Sequence, residues 1–164
     1  MQLIIGKKIG IENICIPNVL LVGEYKKEDL PEIEKMNIKP CKMYEADLIY
    51  ITRNRYLTEI EIKTTIEDFR NDFKKKIYHS CPLVSSLYYA LPWELYYDHE
   101  SEILEKTQGT AGIIIVVKNT GIFPEEYEVD FFKKAPKRKN VMPLSRDEIA
   151  KFMRAGCMKW FKEW

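Results

Sequence analysis

Ala46-Asp47-Leu48-Ile49-Tyr50-Ile51-Thr52, then Arg53-Asn54-Arg55, then Tyr56-Leu57-Thr58-Glu59-Ile60-Glu61-Ile62-Lys63: this stretch decides the fold. The first part is rich in β-forming side chains, and the middle three residues supply a turn. The last part alternates apolar and polar residues with a period of two, which predicts a β-hairpin. Alternate side chains of a strand share a face. Glu59, Glu61 and Lys63 therefore point one way, with Thr58, Ile60 and Ile62 pointing the other. A hairpin of this length brings Asp47 near Glu61, with Glu45 on the face of Asp47 two residues earlier.

Working outward, strands alternate with helical patterns. Asn18–Gly23, Leu87–Leu91, Ala111–Val117 and Glu128–Phe132 read as strands. Glu28–Met36, Thr65–Tyr78 and Trp93–Leu104 read as helices. In the second of these, Ile66, Phe69, Phe73 and Ile77 recur at helical spacing behind a Thr cap. Ser145-Arg146-Asp147-Glu148 is a capping box that opens a last helix, which Gly156 is expected to end or interrupt. The pattern predicts an α/β (α+β) protein with a sheet flanked by helices. No repeat or linker divides residues 1–164, so one domain is expected.

The chain has 164 residues, with 26 Lys+Arg against 25 Asp+Glu and a net charge of +1. That balance hides a segregation: residues 79–132 carry two basic and nine acidic side chains, and residues 133–164 carry ten and three. A near-neutral total therefore does not exclude a polyanionic partner. The basic cluster is Lys133, Lys134, Lys137, Arg138 and Lys139, followed on the last helix by Arg146, Lys151 and Arg154. Phosphate contact and a solvated tail are both consistent with it. The longest aliphatic run, Ile113–Val117, is too short to cross a bilayer. Met1–Lys8 lacks a signal-peptide pattern, so a cytoplasmic protein is expected. Cys15, Cys41, Cys81 and Cys157 lack metal-ligand spacing and read as buried thiols. Trp93, Tyr96, Tyr97, Trp160 and Trp164 read as core or as base-stacking residues. His79 reads as a helix-end hydrogen-bonding group outside any catalytic set.

Two carboxylates converging on a strand pair make a hard-oxygen site suited to Mg²⁺ or Mn²⁺. An ammonium two residues beyond the second can stabilise charge on a phosphate or orient a metal-bound water. A solvated strand face with a weak ion pair has the same spacing. The following segment adds Asp68, Arg70, Asp72, Lys74, Lys75 and Lys76.

Asp47 followed by Glu61-Ile62-Lys63 resembles the D…(D/E)-x-K signature of the PD-(D/E)XK nucleases, the restriction-endonuclease-like fold. More narrowly, Glu45–Leu48, Tyr56–Lys63, Asp68–Lys74, Tyr88–Pro92, Ala111–Val116 and Lys134–Pro136 resemble the MmcB-like DNA-repair group and related phage proteins. The resemblance spans about residues 45–155 and implies a central mixed sheet flanked by helices. It implies Asp47 and Glu61 as ligands to Mg²⁺ or Mn²⁺ with the Ile62 carbonyl assisting, and Lys63 as the catalytic lysine. The implied activity is metal-dependent hydrolysis of DNA in repair, recombination or phage DNA processing, in a bacterial or phage setting. Glu45, Glu59, Asp72 and Lys75 are candidates for supporting roles, and the basic cluster for DNA contact. Ala46 stands where the eponymous Pro would be. An inactive DNA-binding or phage accessory module of the same fold, and self-association into a homodimer through the oppositely charged segments, are the alternatives.

Overall fold

The computed structural model describes residues 1–24, 41–74, 78–119 and 126–160. The helix expected at Glu28–Met36 and the residue Lys75 lie outside them. The elements are α1 (Gln2–Gly10), β1 (Ile14–Glu24), β2 (Cys41–Ile51), β3 (Leu57–Ile62), α2 (Ile66–Asp72), β4 (Val84–Pro92), α3 (Trp93–Asp98), α4 (Glu100–Lys106), β5 (Gly112–Asn119), β6 (Glu126–Lys133) and α5 (Arg146–Trp160). The six strands form one mixed sheet in sequence order. The β1–β2, β2–β3 and β5–β6 pairs are antiparallel, and β3–β4 and β4–β5 are parallel. Parallel neighbours need crossover connections, which α2 and the α3–α4 pair supply. The protein is thus α+β, a six-stranded mixed sheet flanked by helices.

Strand composition explains the layers. On one face, Leu48, Ile60, Tyr88, Ala90, Ile114 and Val116 pack under Ile5 and Ile9 of α1. The other face holds two apolar clusters. Ile16, Ala46, Ile49, Ile51 and Leu57 pack with Ile149 and Phe152 of α5. Leu87, Tyr89, Leu91, Ile113 and Ile115 pack with Phe69 of α2, Tyr96 of α3 and Ile103 of α4. Between these two clusters runs the odd-numbered row of β3, Glu59 and Glu61, continued by Lys63. Apolar walls on both sides bury that charged row.

Several boundaries differ from the sequence expectation. The helix at Trp93–Leu104 is two short helices, because His99 leaves helical geometry at φ −132°, ψ 25°. The helix expected to run to Tyr78 closes after Asp72. Residues 2–10, left unassigned by periodicity, form α1. Gly156 does not end the last helix. A Cβ there would sit 3.1 Å from Cγ2 of Ile16, so this glycine lets α5 lie close on β1. The thiols are not uniformly buried: Cys81 is buried, Cys15 half-buried and Cys157 exposed.

Candidate functional site

Asp47 is placed by a fault in the strand alternation. Ile16, Val19 and Leu21 of β1 face one cluster, and so do Tyr44, Ala46, Ile49 and Ile51 of β2. The three-residue steps from Ile16 to Val19 and from Ala46 to Ile49 break the period of two on both strands at one level. There Asn18 takes φ 50°, level with Asp47 between the Pro17–Leu48 and Val19–Ala46 pairs. Asn tolerates that left-handed conformation better than most residues. Gln2 of α1 seals the break: its amide donates to Asn18 Oδ1 at 2.7 Å and also to the Asp47 carbonyl.

The β2–β3 ladder ends at Leu48–Ile60. In place of the next backbone pair, Asp47 Oδ2 accepts a 2.8 Å hydrogen bond from the Ile62 N–H. Asp47 is thereby held at the mouth of the hairpin, near enough for its charge to act on Glu61. The slip corrects the expectation for Glu45. With Tyr44 and Ala46 turned toward the Glu59–Glu61 face, exposed Glu45 projects from the opposite one.

The Glu59-x-Glu61-x-Lys63 row is no solvated face. Glu59, Glu61, Lys63 and Asp72 are each no more than 4% exposed. Lys63 Nζ lies 3.2 Å from Glu61 Oε2 and 3.1 Å from Asp72 Oδ1. Asp72 comes from the last turn of α2, a helix whose start is fixed by Thr65 Oγ1 accepting from the Asp68 N–H. Burial opposes the ammonium charge on Lys63, but Glu61 and Asp72 outweigh it and raise its pKa. The lysine is held cationic between two carboxylates.

His79, expected to lie outside any catalytic set, completes the cluster. It lies at φ 60° in the connection to β4. Its Nδ1 is 2.6 Å from Glu59 Oε1 and its Nε2 is 2.6 Å from Asp72 Oδ2. Both nitrogens can donate only in the imidazolium form. Burial pulls the His79 pKa down, but the hydrogen bonds to Asp72 and Glu59 raise it to about 9. Asp72 is held well below the usual carboxylate range: burial works against its charge, and His79 and Lys63 prevail. The Tyr44 and Tyr89 hydroxyls donate to Glu59 Oε2 at 2.9 Å and Asp72 Oδ2 at 3.0 Å. No spacing rule links residue 79 to residues 59 and 72; only the fold joins them.

Glu61 is the exception in this well-partnered set. Among the described residues, its Oε1 is the one buried side-chain polar atom with no hydrogen-bond partner. Burial raises its pKa to about 7, with His79 and Lys63 pulling down and Asp47 and Glu59 pushing up. A buried acceptor left unpaired costs about 1–3 kcal/mol. Glu59, Glu61 and His79 also bring ligand-type atoms within 4.8 Å of one another. Because both His79 nitrogens are engaged, a cation here would draw on carboxylate oxygen. The orphaned Glu61 oxygen fits a hard divalent ion such as Mg²⁺ or Mn²⁺.

The basic cluster divides in two. Lys133 Nζ donates to the Thr107 carbonyl at 2.9 Å and its hydroxyl at 3.0 Å. Arg138 donates to the carbonyls of Cys81 at 3.2 Å and His79 at 2.5 Å. Lys133 is thus a structural tie rather than a free surface charge, and Arg138 spends two of its nitrogens in the same way. Lys137 Nζ sits 5.4 Å from the centre of the Tyr56 ring, while Lys134 and Lys139 are exposed. Of the aromatics, Tyr96 is core, whereas Trp93 and Tyr97 are exposed at 41% and 71%. Trp160 and Trp164 side chains lie outside the described residues.

Compared with known proteins, the chain matches no family model and no curated protein. Among solved structures it is similar to the SPO1766 protein of unknown function from Silicibacter pomeroyi. The two share 17% identity over 73% of this chain and 68% of that one, with a TM-score of 0.47. Among the described residues no helix is long and apolar enough to cross a membrane.

Proposed function

We propose that the protein is a metal-dependent DNA nuclease, hydrolysing phosphodiester bonds at the Asp47–Glu61–Lys63 cluster. The observation that carries this reading is the unpartnered, buried Oε1 of Glu61, whose other oxygen is held 3.2 Å from Lys63 Nζ. An acidic pair alone would be weak support. Here one buried carboxylate oxygen lacks a partner in a cluster whose other buried polar atoms all have one, which supports a site completed by a ligand. The mixed sheet flanked by helices, and the order of segments resembling the PD-(D/E)XK nucleases and their MmcB-like members, support the same reading.

Asp47 and Glu61 would hold Mg²⁺ or Mn²⁺, with the Ile62 backbone beside them. When bound, such an ion supplies Lewis-acid polarisation of a phosphoryl oxygen and a more acidic water. The chain's own groups do the rest. Lys63, fixed by Glu61 and Asp72, sets a permanent positive charge where negative charge grows on the phosphate. Asp72 and His79 keep that ammonium in place. Glu59 is engaged by Tyr44 and His79, which makes it a support and not a ligand. Exposed Lys134 and Lys139 would meet DNA phosphates outside the site.

The test is cleavage of single-stranded, duplex and branched DNA with Mg²⁺ or Mn²⁺, against EDTA. Cleavage lost in EDTA and in folded Asp47→Ala and Lys63→Ala variants is expected. Undiminished cleavage in both variants overturns the site. Salt-dependent DNA binding with neither cleavage nor divalent-ion stabilisation would identify an inactive DNA-binding module instead.

A further inference from the structure

A cleft of about 520 Å³ opens beside the carboxylate cluster and shares Asp72 and His79 with it, but none of Asp47, Glu61 and Lys63 lines it. This volume falls within the range of small-molecule sites, about 300–1,000 Å³. Its composition is unlike the catalytic row. One wall is aromatic: Phe73 is 42% exposed, and its ring packs 5.1 Å from Phe69 and 5.6 Å from Tyr89. Three of the lining residues are cationic, Lys106, Lys137 and Arg138. Lys106 Nζ stands 5.4 Å from the centre of the Phe73 ring. This exposed ammonium therefore stands over the ring of the partly exposed Phe73. Arg138 spends two of its nitrogens on the His79 and Cys81 carbonyls, and a guanidinium has five N–H donors.

A flat ring for stacking beside clustered cations matches a nucleotide, a planar base joined to a phosphate. A base inside a duplex cannot present its face to a side chain, so the base must be out of the stack. We propose that this cleft receives one unstacked nucleotide of the substrate strand, the base against Phe73 and a phosphate against Lys106 and Arg138. The proposal rests on the nuclease reading and deepens it, since it makes single-stranded, flapped or locally opened DNA the substrate form. The common walls Asp72 and His79 place the held nucleotide next to the cluster that would cut the strand.

The experiment is calorimetric titration of the full chain with deoxythymidine 5′-monophosphate, deoxyribose 5-phosphate and inorganic phosphate, at low salt and without divalent ions. The nucleotide is expected to bind about tenfold more tightly than the sugar phosphate. Phe73→Leu, which keeps apolar packing on Phe69 and Tyr89 but removes the aromatic face, is expected to erase that tenfold difference. Lys106→Ala is expected to weaken nucleotide and sugar phosphate alike by several-fold. Equal binding of nucleotide and sugar phosphate overturns the proposal, as does wild-type affinity in both variants. Wild-type cleavage of a flapped DNA with Mn²⁺, measured in parallel, separates the two readings. Cleavage without nucleotide preference defeats the cleft alone, whereas nucleotide preference without cleavage defeats the metal site alone.

Discussion

Two charged regions of this molecule obey different physics. The cluster of Glu59, Glu61, Lys63, Asp72 and His79 lies between apolar walls, and nearly every charge in it is fixed by a neighbour at 2.6–3.2 Å. The segment 133–139 carries a larger excess of one sign but lies at the surface, where Lys134 and Lys139 face solvent. Composition draws attention to the second region. The first is nearly balanced, so no charge count finds it, yet each of its charges matters more. Burial makes an unpaired ion expensive, whereas water makes a surface ion cheap.

The comparison is broken most severely at His79. His79→Ala removes the cation from between Glu59 and Asp72, and breaking such a buried pair costs about 3–5 kcal/mol. Urea denaturation is expected to show that loss. A change below 1 kcal/mol would mean that the two carboxylates tolerate each other, and the distinction between the regions would fall.

Next in size is the response to divalent ions. At a concentration one hundred times the dissociation constant, an ion that binds only the folded state adds about 2.7 kcal/mol. Thermal unfolding with and without Mn²⁺ is expected to show this for the wild type and to lose it in Glu61→Gln. Lys134→Ala should leave it unchanged.

The pH dependence of stability is a finer probe. The pKa of His79 is raised from 6.5 to about 9, so its contribution is fully present below pH 6.5 and is lost as pH rises through 9. Glu61 is raised from 4.5 to about 7, so its contribution is present below pH 4.5 and is lost as pH rises through 7. Asp72, lowered from 3.8, contributes above that pH and loses its contribution on acidification. Stability followed by denaturant midpoint is therefore expected to fall between pH 4.5 and 9, and Mn²⁺ is expected to reverse the Glu61 part. Rising stability across that window would contradict the assigned charges.

The smallest effects belong to the surface. Lys134→Ala and Lys139→Ala are expected to change stability by no more than about 0.5 kcal/mol. Each should lower the salt slope of DNA binding by about one. Lys133→Ala, by contrast, is expected to destabilise the fold by about 1 kcal/mol through lost bonds to Thr107. Equal behaviour of Lys133 and Lys134 in both assays would erase the division within the basic segment.

The hairpin was legible because a strand half-buried on one face writes its period of two into the sequence. The capping box was legible too: Ser145 Oγ accepts from the Glu148 N–H, and Glu148 accepts from the Ser145 N–H. The exact seat of Asp47 was not, since the slip opposite Asn18 depends on pairing between two strands and on Gln2 from a helix. Glu45 was misplaced for the same reason. His79 was invisible because loop residues carry no periodicity, and its partners lie 20 and 7 positions away in the chain. Gly156 was misread because a glycine that ends a helix and one that admits a neighbouring strand look identical until the neighbour is known.

Arg138 holds the backbone on both sides of Ser80, through the carbonyls of His79 and Cys81. Its own N–H is in turn held by the Ser85 carbonyl at 2.8 Å. Two connections distant in sequence thus share one length constraint. A residue inserted near Lys134 would shift Arg138 and slacken the loop that presents the imidazole. One inserted after Asn140, beyond this tie, would leave the cluster undisturbed. Variation in loop length, the commonest way that proteins diversify, is therefore permitted on one side of Arg138 and penalised on the other.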